Sequence, residues 1–528
     1  MENITLKHIL SGHAQHFPDK TAIIFSDPKL SAAERRLTYR EFNSRCCKLA
    51  NGLLNMGFKK GDHIAMLSMN SSQYAELYWG FPKAGLVIVP INFRFVADEV
   101  AYIVNHSDAK AIIFEEQYLD LINSARSQFD KVRSDGYIII GDETPWGMIN
   151  YEELLAKSAD TEPEIEVGEM DPSILIYTSG TTARPKGVLK TEGAVLWFAL
   201  QFLYHYGWSR DTATILATPH YHLGGTFPTH AAIYAGGTLI IQREFDSLNW
   251  LELVAKYRVS RFWIVPTMFN LIVNLPEAVR SKYDVSCVGD IMTSGAPLHA
   301  ETWDRALKAF PNSKIHNLYA STEHGGATIL YQQEKERHNL PSECIGLPAL
   351  GANVKIGDNQ GNELPRGETG EIWVKVPSNP IEYYENPEAT EEGFKDGWVS
   401  VGDLGRQDEN GYYYIVDRKK DMIISGGENI SPREIEEVIY RHPKVLEAAV
   451  IGVPDAKWGE TVKVVVVLRS GEEASQDEII SFCRGKVAGY KIPKSVDFAD
   501  HLPKTPTGKI LKRSIRESYW AAREGRVY

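Results

Sequence analysis

From Thr21 onward, short apolar runs alternate with amphipathic stretches. The runs are TAIIF (21–25), HIAMLS (63–68), LVIVPI (86–91), AIIF (111–114), IIIG (138–141), ILIY (174–177), TILATP (214–219), TLIIQ (238–242) and RFWIVP (261–266). Each has strand length and lacks the alternation of a half-exposed strand, so each predicts a buried strand. Between them lie helical patterns. Thr38 and Glu41 have capping-box spacing, Phe42, Cys46, Leu49 and Leu53 share one helical face, and Gly57 supplies a stop. A second helix is expected through Tyr74 to Phe81. Repeated β–α–β alternation predicts mostly parallel sheets covered by helices.

Near Gly351 the pattern changes. NVKIGDNQGNELP and GEIWVKV predict strands joined by a turn at DNQG, and GYYYIVDRKKDMIISGG predicts a hairpin crossed by the charged segment DRKKD. Ser431, Pro432 and Glu434 predict a helix start with a proline in its first turn and a reciprocal glutamate. AAVIGV, VKVVVV and DEIISFCRGKV continue as strand, strand and helix. This places a domain boundary near Arg418 to Asp421, with 1–417 as the large domain and 418–528 as a small α+β domain.

Composition narrows the class. A chain of 528 residues exceeds one ordinary core. A net charge of −12 and a pI of about 5.7 argue against a nucleic-acid partner. The basic tail residues Lys504, Lys509, Lys512, Arg513 and Arg516 read as a solvated face. Five cysteines without metal spacing suit reduced thiols and a cytoplasmic setting. The start MENITLKHIL does not resemble a signal peptide, and no run is long enough to span a bilayer. The sequence leaves a peripheral membrane contact and a homodimer open.

Candidate chemistry centres on YTSGTTARPKG (177–187). Hydroxyls, two glycines and the cations Arg184 and Lys186 can wrap an anion. It is not a P-loop of the G-x-x-x-x-G-K type, because position 185 is proline. An exposed Ser/Thr/Gly loop would share the composition. Other distinctive stretches are TPHYHLGG (218–225), SGAPL (294–298), LYASTEHGG (318–326), VGDLG (401–405), DRKKD (417–421), SGGENISP (425–432), VPDAKWGE (453–460) and PKTPTGKILK (503–512).

Taken in order, these stretches resemble the signature segments of the adenylate-forming superfamily of acyl-CoA synthetases, peptide-synthetase adenylation domains and firefly-type luciferases. The resemblance covers nearly the whole chain. It implies an α/β fold: a large N-terminal domain of stacked, mostly parallel βαβ subdomains with a small β-barrel-like part, then a small mobile α+β C-terminal domain. It implies that Thr178, Ser179, Gly180, Thr181, Thr182 and Lys186 grip the phosphates of ATP. Gly295, Ala296 and Pro297 would lie against adenine, with Tyr319 stacked on it. Thr322 would bond the α-phosphate and Glu323 would hold Mg²⁺. Asp403 and Arg418 would take the ribose. Lys420 would be the hinge and Lys509 the catalytic lysine. Gly426, Gly427, Trp458 and Lys494 would meet coenzyme A, although Trp458 can equally cover the core of the small domain. His222, Trp263, Met268 and Ala320 would surround the acyl group, with His222 as its gate. Ala320 departs from the family's usual glycine.

The implied reaction is ATP-dependent acyl-CoA synthesis through an acyl-adenylate. The apolar stretch LWFALQFLYHYGW (196–208) favours a fatty or aromatic acid. Alternatives are an acyl-AMP ligase, a luciferase-like oxygenase, or a nucleotide-binding sensor without catalysis. Glu323 and Lys509 speak against the sensor.

Overall fold

The runs become strands because both of their faces are covered. His63–Leu67, Val87–Ile91 and Ala111–Glu115 are buried at every position. The structure is a computed structural model that describes residues 5–27, 34–178, 185–296, 298–358, 360–425, 428–455, 457–505 and 508–520. The helix Tyr39–Asn55 starts as expected. The Glu41 N–H donates to Thr38 Oγ1 at 3.3 Å, and the Thr38 N–H donates to Glu41 Oε2 at 2.8 Å. Phe42, Cys46, Leu49 and Leu53 are fully buried, and Gly57 leaves the helix at φ 87°.

Four sheets are present among the described residues. An eight-stranded sheet runs parallel from Pro172–Thr178 through Val87–Ile91, His63–Leu67, Ala111–Glu115 and Tyr137–Ile140 to Ile149–Asn150. On its other side Lys186–Thr191 folds back antiparallel on Pro172–Thr178, and Glu382–Tyr383 pairs with it. A four-stranded sheet brings Thr21–Ser26 beside Thr238–Gln242.

A ten-stranded sheet begins with parallel Arg261–Ile264, Asp290–Thr293 and Lys314–Ser321. It continues antiparallel to Asn353–Gly357. The expected barrel-like part is therefore corrected. Its strands extend an open sheet, and among the described residues no pairing closes it.

The last sheet has five strands, with Gly459–Leu468 at its centre and Val445–Asp455 paired antiparallel to it at one edge. A second expectation fails here. Tyr413–Arg418 does not form a hairpin with Ile423–Ser425. It pairs with Trp398–Gln407 in the ten-stranded sheet, whereas Ile423–Ser425 joins the five-stranded one. Alternation marks a strand but not its partner. The chain crosses between sheets at residues 418–422, where Asp421 and Met422 N–H groups donate to the Arg418 carbonyl.

The helix Pro432–Ile439 also starts differently. Ser431 does not cap it; its Oγ donates to Asp417 Oδ2 at 2.7 Å and to the Val416 carbonyl. Asp417 Oδ2 also accepts the Arg433 N–H at 3.0 Å. Glu434 pairs with Lys491 instead of the backbone. Asp417, from the last strand of the large sheet, thus caps the first helix beyond the crossing. Asp417→Ala leaves the buried Arg433 N–H without its acceptor and the Ser431 hydroxyl with the Val416 carbonyl alone, a loss of about 2 kcal/mol. Calorimetry of the variant is expected to show a lower-melting transition for residues beyond 421. An unchanged melting profile would contradict this weld.

Candidate active site

The hairpin of Pro172–Thr178 and Lys186–Thr191 presents the hydroxyl-rich loop. Its ends are fixed by the Thr178↔Lys186 pairing, and Thr178 Oγ1 donates to the Lys186 carbonyl at 3.4 Å. Ser179, Gly180, Thr181 and Thr182 lie outside the described residues, as do Pro297, Gly426 and Gly427. The Lys186 ammonium sits 5.0 Å from the ring centre of Tyr383. A cleft opens beside this hairpin in two adjoining parts of about 770 and 540 Å³.

The smaller part holds Gly295, Ala296, Tyr319, Asp403 and Arg418. Asp403 and Arg418 are cross-strand partners in the ten-stranded sheet, with Arg418 Nε 3.0 Å from Asp403 Oδ1. The Tyr319 hydroxyl donates to Asp403 Oδ2 at 2.7 Å. Burial alone would raise the Asp403 carboxyl, but the Arg418 and Lys509 cations outweigh it and hold the group below the usual range. This is a fixed carboxylate on a cleft wall, suited to accept hydroxyl donors.

The turn Ser321–His324 faces the larger part, which Thr322 and Glu323 line. No local residue pattern points to what orients Glu323. The Tyr383 hydroxyl donates to Glu323 Oε1 at 2.9 Å, so one tyrosine touches both Lys186 and Glu323. Among the described residues no cluster of three or more His, Cys, Asp or Glu could hold a metal alone. One carboxylate completed by phosphate oxygens is a donor set that magnesium accepts, so the residues fit a phosphate-borne ion.

Past Ala320 the larger part becomes apolar, with Phe198, Phe202, Tyr221, Leu223, Phe227, Trp263 and Val265 on its walls. Phe198 and Phe227 meet edge to face at 4.1 Å, and Phe198 meets Phe202 at 5.5 Å. His222 caps the helix Leu223–Tyr234, accepting the Gly224 N–H at 3.3 Å. Gly224 has no side chain because Trp263 is there: a Cβ would lie 2.2 Å from the indole. Burial and then the Lys509 cation lower His222 to about 4, so it is neutral at pH 7.

That cation arrives from the far end of the chain. Gly508, at φ 80°, turns the loop so closely over Thr267 that a Cβ would lie 2.1 Å from its hydroxyl. Lys509 lines both parts of the cleft. Loss of water and then the Arg418 cation push its ammonium down to about 7. The other basic tail residues are ion-paired: Lys504 to Glu447, Lys512 to Glu436, Arg513 to Glu517 and Arg516 to Glu460.

The cleft thus gathers Thr178, Lys186, His222, Trp263, Gly295, Ala296, Tyr319, Ala320, Thr322, Glu323, Asp403, Arg418, Lys420 and Lys509. It does not gather three expected residues. Met268 lines neither part and packs at the seam between two core clusters. Trp458 is half-exposed in a turn with Lys457 against its ring, and Lys494 is exposed; neither lines the cleft.

Residues 10–384 match the family model described as AMP-binding enzyme, and residues 434–509 match its C-terminal domain. The chain is 36% identical over 491 residues to a feruloyl-CoA synthase of an Amycolatopsis species, covering 92% of this chain and 94% of that protein. It is 36% identical over 488 residues to the long-chain-fatty-acid–CoA ligase FadD13 of Mycobacterium tuberculosis, with the same coverage. The crystal structure of ATP-bound MatB from Rhodopseudomonas palustris superposes with a TM-score of 0.86 at 29% identity, covering 98% of this chain and 99% of that one.

The lowered basicity of Lys509 has a sign that can be checked. Withdrawn into water, the group titrates near 10.4, and in the cleft near 7. Between those values, seating it releases a proton, so seating without a ligand strengthens as pH rises from 7 to 10. Mass-spectrometric footprinting with an amine-selective reagent near pH 8 should label Lys509 ahead of the surface lysines, and ATP should protect it. Labelling no faster than surface lysines would contradict the placement.

Proposed function

The chain belongs to the AMP-binding enzyme family, and from that premise we propose that it is an ATP-dependent acyl-CoA synthetase acting on a fatty or aromatic carboxylic acid. The observation that carries the reading is the entry of Lys509 between a nucleotide-sized recess and an aromatic box.

Asp403 would accept the ribose hydroxyls, with Arg418 holding the carboxylate in place and Tyr319 lying against adenine beside Gly295 and Ala296. Thr178 and Lys186 would hold the outer phosphates, together with the hydroxyls of the loop they bracket. Thr322 would meet the α-phosphate. Glu323 would hold magnesium, which when bound neutralises phosphate charge.

In the first half-reaction a substrate carboxylate oxygen attacks the α-phosphorus. The bond to the β-phosphate oxygen breaks, and pyrophosphate leaves. Two anions must meet, and Lys509 offsets their repulsion where charge accumulates. A neutral His222 beside the acyl end adds no competing charge. In the second half-reaction the thiol of coenzyme A attacks the acyl carbon and AMP leaves.

The domains would divide at 417/418, with residues 418–421 as the hinge and Lys420 at its centre. Rotation there would withdraw Lys509 and bring the segment of Gly426 and Gly427 to the cleft. Trp458 and Lys494, idle in the present arrangement, would then meet coenzyme A. The setting is cytoplasmic in this reading; no helix among the described residues is long and apolar enough to cross a membrane.

The acyl walls favour an uncharged, compact body over a second carboxylate. The names of the two relatives join an aryl acid and a fatty acid to coenzyme A, which supports that class. Acid-dependent ATP–pyrophosphate exchange tests the first step, and coenzyme-A-dependent AMP release tests the second. No exchange across a broad acid panel would overturn the proposal.

Two variants sharpen it. Lys509→Ala should slow adenylation by about a hundredfold to a thousandfold. It should leave thioester formation from preformed acyl-adenylate nearly intact; equal loss in both steps would contradict the rotation. Trp263→Ala opens the box, so the preferred acid should shift to a bulkier one in kcat/KM. An unchanged ranking would remove Trp263 from the pocket wall.

A further inference from the structure

Lys190 lies in the strand Lys186–Thr191, four residues beyond the phosphate-facing Lys186, and is fully buried. A buried ammonium is costly, and an apolar residue would suit this strand better. Among the described residues it forms no ion pair. It donates instead to two main-chain carbonyls, Ser378 O at 2.6 Å and Glu323 O at 2.9 Å.

The second contact links Lys190 to the site. Ser378 Oγ donates to the His324 carbonyl at 2.9 Å, so consecutive carbonyls of the Glu323 turn are held from one side. The chain then runs on along the same strand. Ile381 and Tyr384 N–H groups donate to the Leu189 and Gly187 carbonyls, and the Tyr383 hydroxyl reaches Glu323 Oε1. The phosphate-loop strand, the 378–384 segment and the Glu323 turn meet at the Lys190 ammonium.

We propose that Lys190 is a positioning residue, which fixes the main chain at Glu323 so that its carboxylate meets the magnesium of MgATP. The proposal rests on the reading of Glu323 given above. Lys190 touches no substrate. It acts through the peptide it holds, and the strand and the turn it joins carry the phosphate loop and the metal ligand respectively.

Calorimetric titration of the full chain with ATP, once with Mg²⁺ and once in EDTA, separates this role from general packing. Lys190→Met is expected to retain metal-free ATP binding within about twofold, while the strengthening that Mg²⁺ adds falls by about tenfold to a hundredfold. Lys190→Arg, which keeps the charge and the donors, should recover most of that increment. Steady-state kinetics should show the same pattern, with the KM for MgATP raised and the KM for the acid unchanged. An undiminished magnesium increment in Lys190→Met overturns the proposal, and so does an equal loss with and without metal. If Lys190→Met does not fold, Lys190→Gln decides, since it keeps a single weaker donor; a full increment in Lys190→Gln likewise overturns the proposal. Glu323→Ala serves as the reference. If Glu323→Ala keeps the increment, the reading of Glu323 itself fails; if only Lys190→Met keeps it, Glu323 stands and Lys190 does not.

Discussion

Positive charge is crowded where water is scarce, and the rest of the site follows from that. Lys509 and Lys420 are both pushed down, to about 7 and about 8, by burial and then by the Arg418 guanidinium. Like charges in a low-dielectric cleft repel more strongly than in water. The cleft without nucleotide therefore holds its own cations poorly, and a polyanion relieves it. In the proposed reaction the same field would lower the barrier to bringing a carboxylate onto a triphosphate. Asp403 offsets part of the repulsion, and its Tyr319 bond keeps it from turning toward the lysines.

The far end of the chain reaches this cleft, and polar contacts join residues beyond the crossing to those before it. His299 stacks on Tyr440 at 3.9 Å and bonds Glu437 at 2.8 Å, and Arg469 reaches Glu301 at 3.2 Å. Such interfaces permit relative motion more readily than large apolar ones. The Asp417 cap differs. It ties the residues on either side of the crossing point directly to one another. Gly508 sets the reach of the loop, because any side chain there would collide with Thr267.

Much of this could be read from residue patterns alone. Nearly continuous apolar runs marked buried strands, and the Thr38–Glu41 pair marked a helix start that the structure reproduces. Most of the described motif residues converge on one cleft because each is a short local signature. What failed was tertiary. Nothing local told Tyr413–Arg418 which sheet to join, and nothing local told Ser431 that Asp417 would take over its cap. Met268 was expected beside the acyl group, and the helix Pro266–Val273 packs it instead against two core clusters. Tyr383 and Lys190 escaped notice because their role lies in what they hold. A lysine inside the apolar strand GVLK was the one visible signal, since a buried cation asks for a reason.

The acyl end shows why the acid is harder to name than the chemistry. The Asp403 and Glu323 carboxylates are each fixed by a hydrogen bond with a definite partner, Tyr319 for one and Tyr383 for the other. The acyl walls come from the helix Glu192–Tyr206, the helix Leu223–Tyr234 and the strand Arg261–Ile264, and they meet only by packing. There a glycine matters as much as a tryptophan: the bare backbone of Gly224 is what admits the Trp263 indole. Pocket length is therefore a property of the contact between two elements, and neither element reports it by itself. Apolar cores tolerate volume-conserving exchanges, so the same box can be built from different residues. Chemistry is conserved through bonding geometry, whereas substrate size is set by the volume that remains.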